Sequence, residues 1–343
     1  MISHSHVFSF LHNRDLDELY LSFAIRSFAV SMISIFVPVY LIKLNFPIKA
    51  VLFYFFISYL IHGLFCIVSA KLASRFGIKH IMIASLPFLI IFLLLLYTIP
   101  QYGWPLWLLA IIVGINMSLY WTGFHFDFCT FSDKTNRATE VGVVRLIMSS
   151  FRAIGPVVGG VIITFLGFNV LFIISCVFII LSGIPLFLSK DRCCVFDFSI
   201  KSIFSNWSIR NVTAYVSRGV ERGIYTTIWP IIIFFSIAKS YMTLGGITTA
   251  TLVLSLFFTF LISRAADKRR MLVYRLGCII NFFIWLLRTT LNTNLQVFFT
   301  DSVYGVSKTM YMIPFDANDY DKATKRNMIQ HIIFREISIK GCS

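Results

Sequence analysis

Apolar runs about twenty residues long, divided by short polar connections, follow one another along the whole chain. An α-helix needs about twenty mostly apolar residues to cross a bilayer, whereas barrel strands are half as long and alternate apolar with polar positions. The pattern therefore predicts an all-α integral membrane protein. Its ten predicted spans, numbered in this order throughout, are 19–44, 50–72, 80–100, 104–127, 141–166, 168–189, 211–237, 243–263, 271–291 and 295–314, and an eleventh begins near Met328.

Composition agrees with a membrane protein. Of the 343 residues 58% are hydrophobic and 13% are charged, and soluble domains carry about 25% charged residues. The net charge of +15 is spread over short connections, which argues against a nucleic-acid partner. Apart from Cys193 and Cys194 the seven cysteines are scattered, so they suggest neither a metal site nor a disulfide framework. We expect no metal and no cofactor.

Lysine and arginine concentrate in every second connection, counted from the N-terminus. Those connections hold 18 basic residues, and the alternate ones hold 3, namely Lys43, Lys49 and Lys239. Because basic connections stay on the cytoplasmic side, the asymmetry predicts a multi-pass protein of the cytoplasmic (inner) membrane with a cytoplasmic N-terminus. The 18 residues are Arg14, Lys71, Arg75, Lys79, Lys134, Arg137, Lys190, Arg192, Lys201, Arg210, Arg264, Lys268, Arg269, Arg270, Arg275, Lys322, Lys325 and Arg326.

Two stretches of the chain look like copies of one sequence. Arg26 precedes Pro38 by twelve residues, and Arg218 precedes Pro230 by twelve, at an offset of 192. Internal duplication on this scale is typical of secondary transporters, whose binding site lies between the repeats. Further landmarks recur in the same order at offsets of 189 to 193: the basic loops after spans 2 and 8, the Phe-Asp ends of spans 4 and 10 (Phe126-Asp127 and Phe315-Asp316), and Arg145 with Arg335.

The repeat predicts three parts of the chain. Residues 1–190 form a first six-helix bundle, 191–210 a cytoplasmic linker, and 211–343 an incomplete second bundle. We expect alternating access between the two bundles to move a small solute across the membrane.

The loop after span 2 reads Leu72-Ala73-Ser74-Arg75-Phe76-Gly77-Ile78-Lys79. With this loop, its echo after span 8 and the Gly-Pro element that starts at Gly155, the chain resembles the major facilitator superfamily of transporters. That family has two six-helix halves and a glycine-and-charge motif between helices 2 and 3, echoed between 8 and 9. Ser74 stands where the family usually has aspartate. The resemblance implies gating loops at Ser74, Arg75, Gly77 and Lys79 and at Asp267, Lys268 and Arg269, and helix packing at Gly155, Pro156, Gly159 and Gly160.

The resembled family has twelve spans, and this chain stops within its eleventh. We therefore expect a C-terminally truncated member with about 10–11 transmembrane helices, its second half incomplete.

Arginine deep in a bilayer is costly, at about 2.5–3.5 kcal/mol on insertion scales, and is functional by default. Arg26 lies about eight residues into span 1, and Arg218 is its counterpart in span 7. In the resembled fold these spans line the central cavity, so the two arginines are hypothesised to face each other and bind an organic anion. The alternative is that each arginine only holds helices together.

Further ionisable residues lie in the spans. Glu221 and Arg222 follow Arg218 by one turn, and Glu221 is interpreted either as a fixed ion-pair partner or as a proton-coupling carboxylate. Arg145 and Arg152 share one face of span 5 and are further candidate substrate ligands, and Glu336 is a candidate ion-pair or coupling residue beside Arg335. Less specific interpretations are Arg288 as an interfacial anchor, Asp301 and Lys308 in span 10 as residues that either pair elsewhere or close the cavity, and His62 and Asn116 as buried hydrogen-bonding residues.

The sequence favours a secondary active transporter over an enzyme. No phosphate-binding loop indicates ATP as an energy source, and no catalytic residues are predicted. Two alternatives stay open, a membrane-embedded lipid or glycan transferase and a degenerate, non-transporting relative of the family. The expected partners are the lipid bilayer and a small-molecule substrate, with an anion as the hypothesis, and we expect a monomer.

Overall fold

The computed structural model describes residues 14–131, 137–188, 203, 208–322 and 328–340, and nearly all of them are helical. The prediction of an all-α membrane protein is confirmed. The bounds are Arg14–Ser34 and Val37–Lys43 for span 1, Ile48–Phe76, Ile78–Tyr102 and Leu106–Phe131 for spans 2 to 4, Arg137–Leu188 for spans 5 and 6, Ile209–Gly223, Ile224–Ile228, Trp229–Ile232 and Ile233–Ala238 for span 7, Tyr241–Leu287 for spans 8 and 9, Asn294–Lys322 for span 10, and Met328–Lys340 for span 11.

Eight helical stretches of the described chain are long and apolar enough to cross a membrane. One of them, 149–187, contains most of spans 5 and 6. Span 10 is not among the eight, and it carries Asp301, Lys308 and Asp316. Large apolar side chains lie on the outside, as expected for surfaces that face lipid rather than water; Phe53, Phe165, Phe187, Phe257 and Phe282 are each more than half exposed.

Two long helices are divided by a single residue with non-helical backbone angles. Gly167 (φ 82°, ψ 174°) separates span 5 from span 6, and Arg269 (φ −140°, ψ 58°) separates span 8 from span 9. Span 2 ends at Gly77, with φ 101°. Positive φ favours glycine, whereas a φ of −140° suits any residue. The loop after span 2 therefore requires its glycine, and the echo after span 8 does not.

Spans 1 and 7 are irregular at corresponding points. The helix of span 1 is interrupted before Val37, next to Pro38. Span 7 is π-helical over Ile224–Ile228 and Ile233–Ala238, on both sides of Pro230. Proline lacks the N–H that a helix needs and displaces the preceding turn, so Pro38 and Pro230 each account for the irregular turn before them.

The helices pack into one bundle whose two ends differ in charge. Span 1 lies against spans 5 and 6, span 4 against spans 2 and 3, spans 8 and 9 against span 10, and span 11 against spans 2 and 7. We call the end of the bundle where span 2 passes into span 3 and span 8 into span 9 the basic face, and the other end the low-charge face. Much of the connection between spans 6 and 7, 189–202 and 204–207, lies outside the described residues.

Glycines let span 5 approach two neighbours closely. A methyl group at Gly155 would meet the Ser31 side chain of span 1, and one at Gly159 would overlap the Met32 carbonyl there. Gly160 faces the opposite way, where an added carbon would lie 2.6 Å from the Tyr241 carbonyl of span 8. Small residues permit such backbone contact between membrane helices, and span 5 is thereby wedged between spans 1 and 8.

Candidate functional site

The guanidinium of Arg26 in span 1 is held by span 4. Its Nη2 donates a hydrogen bond to the side-chain oxygen of Asn116 at 3.2 Å, and its Cζ lies 3.5 Å from the centroid of the Tyr120 ring. Asn116 in turn donates to the carbonyl of Ser85 at 2.6 Å. Among the residues that the structure describes, no hydrogen-bond partner reaches Nη1 of Arg26. An amide and an aromatic ring hold this buried cation.

The guanidinium of Arg218 in span 7 is held by span 10. Its Nη1 donates to Oδ1 of Asp316 at 2.5 Å, and its Nη2 donates to Oδ2 at 3.4 Å. The Phe315 ring lies 4.7 Å from its Cζ. Asp316 also accepts a hydrogen bond from Arg335 of span 11 at 3.1 Å. The carboxylate is buried and joins spans 7, 10 and 11.

The two repeat arginines occupy equivalent places. The side chain of Arg26 in span 1 binds span 4, and the side chain of Arg218 in span 7 binds span 10. Spans 7 and 10 are the counterparts of spans 1 and 4 in the repeat. Their contacts stay within the first six spans or within the later ones. The structure therefore does not bring the two guanidiniums together, because each is bound by a side chain of another helix.

A second group of basic residues lies where spans 5, 7 and 10 meet. Lys308 places its Nζ 4.3 Å from the centroid of the Tyr225 ring and 5.3 Å from that of Tyr304. These two rings stack at 4.4 Å. The charge of Lys308 lies within electrostatic range of Arg152 and Arg222. We call Arg152, Arg222 and Lys308 the cationic cluster.

Glu221 does not neutralise the arginines beside it. Its two carboxylate oxygens accept hydrogen bonds from Tyr304 and from Tyr311, the latter at 2.8 Å. The charge of Glu221 lies within electrostatic range of Lys308, yet no ion pair joins Glu221 to Arg218 or Arg222 in the described contacts. Tyrosines of span 10, rather than basic side chains, therefore orient this carboxylate.

Asp301 is the other carboxylate near Lys308, and it forms an ion pair with Arg288. Arg288 Nη2 donates to Asp301 Oδ1 at 2.8 Å, and the indole N–H of Trp229 donates to both carboxylate oxygens at 3.0 Å. Aromatic rings surround the guanidinium, with the centroids of Trp229 and Trp285 4.4 and 4.3 Å from its Cζ. Arg288 is 6% exposed, so it is a buried partner of Asp301 and not an interfacial anchor.

The cationic cluster holds more positive charge than its surroundings neutralise. Three arginines, Arg152, Arg222 and Arg288, lie in electrostatic range of Lys308, and so do two carboxylates, Glu221 and Asp301. Within the described ranges no member of the cluster forms an ion pair. Arg152 is exposed although its charge faces Arg222 and Tyr225.

The predicted gating loops lie on the basic face. Arg75 is exposed, with its Cζ 5.4 Å from the Phe76 ring, and Ser74 donates a hydrogen bond to the Lys71 carbonyl at 2.8 Å. Lys79 is buried at the start of span 3. In the second loop Lys268 and Arg269 are exposed. The side chains of Asp267 and of Arg145 lie outside the described residues.

The tyrosines that lie beside the cationic cluster and Glu221 were not predicted from the sequence. Tyr304, Lys308 and Tyr311 lie four and three residues apart, a spacing that places them on one face of a helix. Glu221 and Tyr225 have the same spacing on span 7. A search for aromatic residues one turn from an intramembrane charge would have selected Tyr225, Tyr304 and Tyr311.

Comparison with known proteins adds a family relationship. The family model of the Major Facilitator Superfamily matches residues 19–192, about half of the chain. A curated relative from Bacillus subtilis (strain 168), described as uncharacterized protein YqgE, is 24% identical over 253 residues. The match covers 68% of this chain and 58% of that relative, so the chain spans less than two thirds of the relative's length.

Among solved structures, the fold is similar to that of a POT family transporter crystallised in complex with 5-aminolevulinic acid. The TM-score is 0.78, and the match covers 96% of this chain and 88% of that one. At 10% identity the similarity concerns the fold alone.

Proposed function

Because the chain belongs to the Major Facilitator Superfamily, we propose that it is a secondary transporter that carries a small organic anion across the cytoplasmic membrane by alternating access. Its N-terminus lies in the cytoplasm, as the basic face suggests, and it acts as a monomer. Residues 1–190 and 211–343 are the two moving bundles, joined by 191–210. The protein uses no cofactor and catalyses no covalent step.

The excess positive charge of the cationic cluster carries this proposal. Arg152, Arg222 and Lys308 lie within electrostatic range of one another, and the two carboxylates nearby are engaged by tyrosines and by Arg288. Like charges at a protein site repel more strongly than they do in bulk water. A bound carboxylate or phosphate would remove that repulsion, and two arginines offer it planar hydrogen-bonding forks.

The proposal places the anion on the cationic cluster rather than between Arg26 and Arg218. Both of those guanidiniums already have partners, Asn116 with Tyr120 in one case and Asp316 in the other. They position spans 1 and 7, which line the path in the resembled fold. Arg145, seven residues before Arg152 on span 5, is proposed as a contact closer to the basic face.

Contacts of spans 2 and 5 with spans 7 and 8 suggest how access alternates. Gly160 of span 5 meets the Tyr241 carbonyl of span 8, and an added carbon at Gly245 of span 8 would overlap the Pro156 carbonyl. Tyr59 of span 2 and Thr226 of span 7 share a hydrogen bond of 3.2 Å. Separation of these contacts would open the cluster toward the low-charge face, while the loops around Ser74, Gly77 and Arg269 act at the basic face.

Uptake by proteoliposomes tests the proposal. The purified protein is reconstituted and supplied with radiolabelled monocarboxylates, dicarboxylates and sugar phosphates. We expect uptake of at least one class above that of protein-free vesicles. That uptake should fall about tenfold or more in Arg152→Gln and Lys308→Gln, the loss that follows from about 1.4 kcal/mol of binding energy.

Arg275→Gln, at an exposed position of span 9, is the matched control and should transport normally. Equal uptake by all three variants would contradict the assigned site. Anion binding without any uptake would instead favour a non-transporting relative of the family. A transferase is not favoured, because the described carboxylates Glu221, Asp301, Asp316 and Glu336 lie within helices, away from the loops that would face a membrane-bound substrate.

A further inference from the structure

Glu336 of span 11 lies between two histidines from other helices. Its Oε1 is 3.4 Å from Nε2 of His125 in span 4, and its Oε2 is 3.6 Å from Nε2 of His62 in span 2. All three residues are buried, with His62 completely inaccessible. This triad joins the late part of the chain to the first six spans.

Both imidazoles have ring nitrogens without a described hydrogen-bond partner. Neither ring nitrogen of His62 has a hydrogen-bond partner among the described residues, and Nδ1 of His125 has none there either. Buried polar atoms are normally satisfied, and an exception requires an explanation. A metal ion does not provide it, because no group of three His, Cys, Asp or Glu in the described part of the chain is arranged to hold one.

Several charged and titratable groups surround the triad. Arg335 Nη1, on the same helix as Glu336, lies 3.7 Å from its Oε1, and Arg335 also donates to Asp316 of span 10. The remaining groups are Lys340 of span 11, Arg222 and Arg218 of span 7, Cys66 of span 2, and, further along span 11, His331 beside Tyr215.

We propose that His62, His125 and Glu336 form a proton-binding site that closes span 11 against spans 2 and 4. A proton on His125 creates an imidazolium–carboxylate pair between spans 4 and 11. Once that proton is released to water, the imidazole is neutral and the charge pair between spans 4 and 11 is lost, although Arg335 and Lys340 of span 11 still lie near Glu336. Protonation therefore tightens the contact between the two groups of helices, and deprotonation loosens it.

The site deepens the proposed function, and its role in coupling rests on that function. A proton that favours one access state would drive the anion with it, as histidine switches do when a charge change biases a two-state element. The closure itself requires no substrate. It can therefore be tested without knowing what the protein carries.

Distance measurements by double electron–electron resonance test the closure. Spin labels are attached through p-acetyl-phenylalanine at Phe76 and Met271, exposed residues on the basic face at the ends of spans 2 and 9, in the full chain without substrate. This chemistry leaves the native cysteines in place. Between pH 8.5 and pH 5 we expect the ratio of short to long distances to rise about tenfold, a typical coupling between linked sites.

Glu336→Gln and His125→Gln should each abolish the pH dependence, and His62→Gln should reduce it. His80→Gln, at an exposed position of span 3, is the matched control and should behave as the unaltered protein. A distance distribution of the unaltered protein that does not change with pH would overturn the proposal, even if a variant failed to fold. Such a result would leave anion transport standing, whereas pH-dependent closure without transport would refute only the transport function.

Discussion

Arg218 and Arg222 lie one helical turn apart on span 7, but their surroundings differ. Arg218 is bound through both Nη atoms by Asp316 and covered by Phe315. Arg222 has no carboxylate partner among the described residues and faces the charges of Arg152 and Lys308. In a medium of low polarity a paired arginine fastens helices, whereas an unpaired one leaves charge for a ligand to neutralise.

Arg26 is an intermediate case. It has an amide and an aromatic ring but no described carboxylate, so its charge is stabilised by neighbouring dipoles and is not cancelled by an opposite charge. Burial inside the first six spans nevertheless fixes its position. The described contacts therefore compensate the guanidinium charge most completely at Arg218, less completely at Arg26 and least at Arg222.

The largest expected effect is on the fully paired arginine. Arg218→Met leaves Asp316 buried with Arg335 as its remaining described cation, and removal of one partner of a buried pair destabilises by about 3–5 kcal/mol. Thermal unfolding in detergent should show this loss. The double variant Arg218→Met/Asp316→Leu should recover part of it, because the buried carboxylate that lost its bidentate partner is then removed as well. Unfolding unchanged by Arg218→Met would remove the basis of the comparison.

A smaller loss is expected at the aromatic partner of Arg26. Tyr120→Leu removes a desolvated cation–π contact worth about 2 kcal/mol, and the same unfolding measurement should detect it. Tyr120→Phe is the control, because it keeps the ring and removes only a hydroxyl that has no described hydrogen-bond partner. If both variants unfold alike, Arg26 is held by Asn116 alone.

The smallest effect should have the opposite sign. Arg222→Gln removes one of several mutually repelling charges, so the ligand-free protein should gain stability, by up to about 1 kcal/mol at the effective dielectric of protein sites. Destabilisation of 2 kcal/mol or more by this variant would mean that the fold already pairs Arg222.

Much of the fold could be predicted from the sequence because bilayer thickness fixes helix length. The predicted spans and the described helices coincide, and the last helix begins at Met328, where the eleventh span was expected. The Gly167 break between spans 5 and 6 also follows from the pattern. The position of the equivalent break at Arg269 could not be predicted from the residue type, because any residue adopts a φ of −140°.

The site was predicted in part. Intramembrane charge selected Arg152, Arg222, Glu221 and Glu336, because such residues stand out in an apolar segment. Their partners could not be predicted, since lipid-facing and buried sides of a span are both apolar and hide the rotation of each helix. Phe315-Asp316 was noticed as a repeat landmark, and only the structure identifies it as the partner of Arg218.

The central claim, that the charge of the cationic cluster is available to an anion, is tested most directly by ligand-dependent thermal stability. The protein in detergent is heated with small carboxylates and sugar phosphates, each beside its neutral amide or parent sugar. The account predicts that at least one anion raises the unfolding temperature, that its neutral counterpart does not, and that Arg222→Gln abolishes the rise while Arg275→Gln retains it. A rise of the same size in Arg222→Gln, or equal rises with acids and their neutral counterparts, would contradict it.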